Sequence, residues 1–169
     1  LANGSELWKI PEMAELPAIH AHLVTDNDPD YEPYRRDPQS LVRSWATPGQ
    51  QGLRHQVGGL EKADVTGEIS YDTDNHERMT HLRAEKIARV AGYIPQQNIL
   101  GHTRGDLLVV GWGGTYGALY TTVLELQEEG RNISLAQFHY INPLPLNTSE
   151  VFKGFKKIIV CELNLGQFA

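Results

Sequence analysis

The apolar positions divide this chain into two unlike halves. Up to about residue 75 they come in short pieces, such as Ala18-Ile19 and His22-Leu23-Val24, set among Pro, Asp, Gly and His. Asp26-Asn27-Asp28-Pro29-Asp30 and Thr47-Pro48-Gly49-Gln50-Gln51-Gly52 have turn-forming composition. So long an irregular stretch cannot bury much core alone and is expected to wrap a neighbouring domain or subunit.

From Asp74 the pattern becomes periodic. Asp74 followed three residues later by Glu77 has capping-box spacing, and Met79, Leu82, Ile87 and Val90 share one helical face, which predicts a helix over 76–91. Gly92 and Pro95 close it, and the polar segment 96–106 is expected to be a linker. The remainder predicts a strand at 107–112, a helix at 116–129, a strand at 133–141, a short helix at 149–155 and a strand at 157–163. That order makes an α/β fold with an open, mostly parallel sheet in three layers, carrying an irregular N-terminal extension. Tyr116, Leu119, Tyr120 and Val123 stand at helical spacing, with Thr115 as the expected N-cap and Gly130 as the C′ residue.

The chain has 169 residues, enough for one ordinary α/β domain and an extension but not for two full domains. A net charge of -6 and the lack of a basic run give no electrostatic reason to expect nucleic acid or an acidic membrane as partner. No stretch approaches the roughly 20 apolar residues of a membrane span, and the N-terminus lacks a signal-peptide pattern, so a cytoplasmic location is expected. A single cysteine, Cys161, can neither form an internal disulfide nor hold an iron–sulfur cluster alone. The chain opens on Leu1 and stops at Ala169 just after an apolar strand and a turn, so both ends are expected to be cut from something larger.

In an open parallel sheet ligands bind beyond the carboxyl ends of the strands, and three distinctive turns fall at that edge. They are Gly111-Trp112-Gly113-Gly114-Thr115-Tyr116-Gly117, His139-Tyr140-Ile141-Asn142-Pro143-Leu144-Pro145, and Glu162-Leu163-Asn164-Leu165-Gly166-Gln167. The first is a strand-to-helix turn whose glycines would leave backbone N–H groups free for an anion at a helix N-terminus. It is not a dinucleotide fingerprint, because Tyr116 stands where the third glycine belongs and His139, Tyr140 and Ile141 replace the acidic ribose partner; no Gly-Lys-Ser or Gly-Lys-Thr makes a P-loop. Glycines and prolines that simply make the turns of the sheet remain the alternative. His20 and His22, or His76 and His81, are poorly spaced for a metal, and Cys161 within an apolar strand reads as a small buried hydrophobe. Glu162 and Asn164, at a strand terminus, could reach backbone donors, a partner chain or a ligand. No Ser-His-Asp order and no paired acid and base emerge, so neither a catalytic residue nor a metal ligand is assigned.

At these same residues the chain resembles a known family. The run Leu107-Leu108-Val109-Val110-Gly111-Trp112-Gly113-Gly114-Thr115-Tyr116-Gly117, the turn Asn142-Pro143-Leu144-Pro145 and the ending Glu162-Leu163-Asn164-Leu165-Gly166-Gln167 are similar to the alpha subunit of 2-oxoacid:ferredoxin oxidoreductases of the 2-oxoglutarate type. Gly58-Gly59-Leu60-Glu61-Lys62, Thr66-Gly67, Tyr71-Asp72 and Asn75-His76-Glu77-Arg78-Met79 resemble the segment that joins that subunit's first two domains. Many relatives read Gly-x-Glu-His where this chain has Gly59-Leu60-Glu61-Lys62, so a histidine role there does not carry over.

The resemblance implies that residues 1–75 are the trailing part of a thiamine-pyrimidine domain, 76–105 a helix and linker, and 106–169 a truncated transketolase-C-terminal-like domain. It implies an intact enzyme that decarboxylates a 2-oxoacid oxidatively, gives acyl-CoA and reduces ferredoxin. Thiamine diphosphate would be shared with a beta subunit that holds Mg2+, electrons would leave through an iron–sulfur cluster, and coenzyme A would accept the acyl group. None of these is expected to bind this segment tightly by itself. Its role would be structural and subunit-docking, with Gly113, Gly114 and Thr115 at the cofactor-facing edge and Asn142, Glu162, Asn164 and Gln167 at the interface. A self-sufficient α/β module that binds a nucleotide or coenzyme A at the glycine-rich turn is the alternative.

Overall fold

The computed structural model describes residues 10–24 and 28–169. The chain divides into two compact units, the first of residues 12–89. Here β1 (Leu23–Val24) pairs in parallel with β2 (Trp45–Ala46), and antiparallel bridges link Tyr34 to Val65, Arg36 to Arg43 and Lys62 to Ile69. Both predicted turns form: the Tyr31 amide bonds the Asp28 carbonyl at 3.1 Å, and the Gln50 amide that of Thr47 at 3.2 Å. Asp26 and Asn27 of the first lie outside the described residues. The small core is Leu41, Leu53 and Met79.

Helix α1 (Thr73–Arg89) starts three residues before the expected position and gives way to a 3-10 turn at Val90–Gly92. The difference at the start is a matter of capping. Asp72, not Asp74, is the capping residue, because its Oδ1 accepts the Asn75 amide at 2.7 Å. Asp74 sits inside the first turn, where its negative charge suits the helix dipole. The Asn75 side chain faces the preceding loop, its Oδ1 taking the Asp64 amide at 3.0 Å and its Nδ2 donating to the Lys62 carbonyl at 3.0 Å. Of the expected apolar face, Met79 is buried, Leu82 half-buried and Ile87 exposed.

The second unit contains residues 90–169. Its strands β3 (Gly105–Trp112), β4 (Ile133–Phe138) and β5 (Phe155–Cys161) form a wholly parallel sheet in the order β4-β3-β5. Leu107 of β3 stands opposite Ile133 and Lys157. Alternation along the strands supplies two cores. Leu108, Val110, Ala136 and Phe138 pack with Val151 of α3 (Thr148–Lys153); Val109, Ile133 and Leu135 pack with Val123 of α2 (Tyr116–Glu128). The helices therefore cover opposite faces, giving the three expected layers.

β4 is buried at all six positions, as a strand covered on both faces should be. It stops at Phe138 and β5 at Cys161, each short of its predicted end, since His139 to Asn142 and Leu163 to Gln167 are exposed and turn away. The presumed linker covers the outer side of β4: Leu100 and Leu135 exchange backbone hydrogen bonds at 2.9 and 3.0 Å. Asn147 fixes that segment by clamping both backbone groups of Gln97, at 2.8 and 3.0 Å. Helix α2 ends as its sequence predicts. Gly130, at φ 82°, takes the left-handed C′ position, with Gly130 bonded to Gln127 and Arg131 to Leu126 in a Schellman pattern.

Candidate functional site

Because all three strands run the same way, the turns after β3, β4 and β5 emerge at one edge. The glycine-rich turn after β3 is tightly built. Gly111 is buried, and a Cβ there would press on Leu119 of α2, Gln137 Oε1 and Thr115 Oγ1, so this glycine permits the helix to approach the strand. Gly113 takes φ 58° and starts a 3-10 turn, Gly113–Thr115, that leads into α2. Gly113 and Gly114 are exposed.

The expected use of Thr115 as a side-chain cap is not realised. Its own backbone is already helical, and its hydroxyl donates back to the Trp112 carbonyl at 2.9 Å instead of accepting an amide. Within the turn Gly114 and Gly117 have partners, and the Gly113 carbonyl accepts Gln137 Nε2 at 3.2 Å. Gln137 is the polar residue that sequence reasoning passed over inside an apolar strand. It is nine-tenths buried and its Oε1 has no hydrogen-bond partner among the described residues. A groove of about 330 Å³ opens beside it, lined by Tyr116, Tyr120, His139, Tyr140 and Pro145.

The turn after β5 folds back over the opposite face. Phe168 packs edge-on to Phe138 at 5.5 Å between ring centres and tilts against Trp112 at 6.2 Å. Glu162 organises this closure: Oε2 accepts the Trp112 indole N–H at 3.3 Å and the Phe168 amide at 3.0 Å, and Oε1 accepts the Ala169 amide at 2.9 Å. Burial would raise the Glu162 carboxyl, but these amides, the indole and the Asn164 side chain together hold it below the usual carboxylate range. Asn164 Oδ1 accepts the Gly166 amide at 2.9 Å, an Asx turn that lets Gly166 adopt φ 84°. Asn142, at a cis Asn142–Pro143 bond, and Gln167 are exposed at the same edge. All seven candidate residues are thus brought to one end of the sheet, with Glu162, Asn164 and Thr115 bonded within the chain. Trp112 and Phe168, which complete the closure, were not singled out from the sequence; their signal is an aromatic at a strand terminus and another six residues beyond Glu162.

Among the described residues no group of three or more His, Cys, Asp or Glu is placed to hold a metal ion, and Cys161 is half-buried on the α2 face of the sheet. The donor set for an iron–sulfur cluster or Mg2+ is therefore not assembled among them.

Fold and edge define a parallel α/β domain of the kind that carries its functional turns at the strand carboxyl ends. The chain belongs to the 2-oxoacid:ferredoxin oxidoreductase alpha-subunit family. It is 39% identical over 170 aligned residues, all of this chain, to the 2-oxoglutarate oxidoreductase subunit KorA of Mycobacterium tuberculosis. It is 28% identical over 109 residues, 63% of the chain, to the 2-oxoacid:ferredoxin oxidoreductase alpha subunit of Saccharolobus solfataricus. The chain spans 26% of the first relative and 17% of the second. Its fold superposes on the 2-oxoglutarate:ferredoxin oxidoreductase of Magnetococcus marinus, solved with 2-oxoglutarate, coenzyme A and succinyl-CoA bound. The TM-score is 0.80 at 25% identity, covering 94% of this chain and 28% of that one. No protein-family model matches.

Proposed function

We propose that this chain is a structural and docking segment of the alpha subunit of a 2-oxoglutarate:ferredoxin oxidoreductase. The whole enzyme would decarboxylate the 2-oxoacid oxidatively to the acyl-CoA and pass electrons to ferredoxin, using thiamine diphosphate, Mg2+, an iron–sulfur cluster and coenzyme A. The 39% identity with the Mycobacterium tuberculosis subunit along the entire chain carries this reading. The segment contributes no reacting group. Residues 1–75 would complete a pyrimidine-binding domain and 106–169 a transketolase-C-terminal-like domain whose strand-end edge meets the beta subunit. Three donors already fill Glu162, so the edge offers mainly apolar contact, through Leu163 at 90% and Leu165 at 97% exposure, with Asn142, Asn164 and Gln167 around them. An apolar centre with a polar rim is the usual anatomy of a subunit interface.

The alternative, a small nucleotide- or coenzyme-A-binding module, has the groove beside Gln137 in its favour, while the identity along the entire chain favours the subunit segment. The two separate experimentally. Full-length alpha subunit is co-purified with its beta subunit and assayed for dye reduction dependent on 2-oxoglutarate and coenzyme A. Leu163→Asp with Leu165→Asp should reduce recovery of the complex several-fold and take activity with it, while Glu162→Ala with Asn164→Ala should act through loosening of the turn. Normal assembly and turnover by both double variants would remove the edge from the interface. A wild-type complex that turns over pyruvate but not 2-oxoglutarate would overturn the substrate.

A further inference from the structure

The unit of residues 12–89 holds a cluster of positive charge that neither its packing nor the sheet edge explains. Lys62 is 3% exposed. Its Nζ donates to the Gly58 carbonyl at 3.0 Å and the Leu60 carbonyl at 2.6 Å, and among the described residues no carboxylate pairs with it. Two carbonyl dipoles occupy two of the three ammonium donors but do not cancel the charge. A buried cation is costly unless an anion meets it.

Arg36 stands on the same cavity, paired through one nitrogen but with its other poorly served. Its side chain is 11% exposed, and Nη1 serves the Tyr34 carbonyl at 3.2 Å and Asp64 Oδ1 at 2.6 Å. Nη2 has only the Met79 sulfur, a weak acceptor, at 3.7 Å. Asp64 is shared with Arg78 at 2.8 Å, and Glu61, the cavity's one carboxylate, is already divided between His76 at 2.7 Å and Arg83 at 3.0 Å. Arg43 lies over the Tyr34 ring, its guanidinium carbon 4.1 Å from the ring centre, a contact that orients the cation without neutralising it. Burial depresses the pKa of Arg36, Asp64 opposes that, and the nearby Arg43 and Arg83 depress it further, as expected where like charges converge.

The cavity measures about 460 Å³ and is lined by Arg36, Arg43, Lys62, Arg83 and Lys86 against Glu61. Five cations line the cavity, and the two carboxylates that meet them, Glu61 at Arg83 and Asp64 at Arg36, are each shared with a further cationic or imidazole partner. Val57, Leu41 and Leu82 form apolar parts of the same wall. A single chloride would leave most of this charge unmet, whereas an oxyanion bearing two or more charges matches it and accepts several N–H donors at once.

We propose that this cavity is an oxyanion-binding site, taking a phosphate monoester or a dicarboxylate with Lys62 and Arg36 as the inner donors and Arg43, Arg83 and Lys86 as the outer ones. The site lies in a different unit from the strand-end edge, and the proposal does not depend on the substrate of the intact enzyme.

The test is calorimetric titration of the full-length subunit with inorganic phosphate, with succinate and with sodium chloride at matched ionic strength. Wild type is compared with Arg43→Gln plus Lys86→Gln, two positions outside the buried core. Phosphate or succinate should saturate a site at one per chain, and the double variant should weaken that site about tenfold or more through loss of charge-assisted contacts. Tighter binding of phosphate identifies a phosphate ester as the ligand class, and tighter binding of succinate a dicarboxylate. No saturable heat from either anion, the same heat from chloride, or a site unchanged in the double variant would each overturn the proposal. Lys62→Met, checked first by circular dichroism against wild type, should abolish the site when folded; a folded Lys62→Met that binds as wild type would also refute it.

Discussion

Gly111→Ala tests whether close packing, rather than chain flexibility, accounts for the first glycine of the strand-end turn. Gly111 is buried at mid-sheet, in register with Gln137 of β4 and Cys161 of β5. An added Cβ would overlap Leu119 Cδ1 and lie 2.7 Å from Gln137 Oε1 and 3.0 Å from Thr115 Oγ1. Leu119 is half-buried against the cluster of Val109, Val123 and Leu135, while Gln137 is anchored on the Gly113 carbonyl and Thr115 on that of Trp112. Overpacking of this kind costs about 1–3 kcal/mol, and three obstructed neighbours place Gly111→Ala in the upper part of that range. Lower unfolded-state entropy returns about 0.4–1 kcal/mol, leaving a net loss of roughly 1–2 kcal/mol. In a chain of this length that corresponds to a fall in Tm of roughly 2–8 °C. Gly113→Ala provides the contrast: its Cβ meets nothing within 4 Å, but φ is 58°, so the loss should be about 1 kcal/mol from backbone strain and smaller for Gly113→Asn. Urea titration and thermal melts of the three variants decide the matter. A Gly111→Ala protein as stable as wild type would refute the packing argument.

The same measurements check three other residues. The Glu162 carboxyl, held below its ordinary value, stabilises the folded state at neutral pH, and that contribution disappears as the pH falls through its folded value. The stability gap between wild type and Glu162→Gln should therefore narrow below about pH 4, and a gap independent of pH would contradict the hydrogen bonds assigned to it. Asp72→Ala removes the acceptor of the Asn75 amide and should cost about 1 kcal/mol, with faster hydrogen exchange at Asn75; unchanged exchange would argue against the cap. Phe138 is 1% exposed and meets Phe152 and Phe168 edge-on, so Phe138→Ala should cost about 3–5 kcal/mol, and a loss under about 1 kcal/mol would mean that the core refills.

The sheet was legible because a parallel strand covered on both faces is written as a mostly apolar run: Leu107 to Val110 is unbroken, and Ile133, Leu135, Ala136 and Phe138 outweigh Ser134 and Gln137 in β4. Gly130 was legible because a left-handed C′ residue leaves few alternatives to glycine. Features set by distant partners were not. Asp72 and Asp74 both suit a helix start, and the choice falls on Asp72 because Asn75 is engaged with the loop at Lys62 and Asp64, thirteen and eleven residues away. The segment 96–106 is polar enough to resemble a linker, yet two backbone hydrogen bonds at Leu100 and the Asn147 clamp on Gln97 tie it along β4. Nothing local in the sequence foretells that the Lys62 ammonium is buried.

The edge shows the same division between placement and role. Sequence pattern alone puts Glu162 and Asn164 at the carboxyl end of the last strand, which is where the parallel sheet delivers them. Their side chains then turn inward, Glu162 to Trp112, Phe168 and Ala169 and Asn164 to Gly166. A carboxylate already accepting three hydrogen bonds gains little from a partner's donors and would lose its own closure on changing sides. Leu163 and Leu165 alternate with these polar residues and point outward for the same reason that Glu162 and Asn164 do not. The polar residues shape the turn, and Leu163 and Leu165 are left exposed beside them.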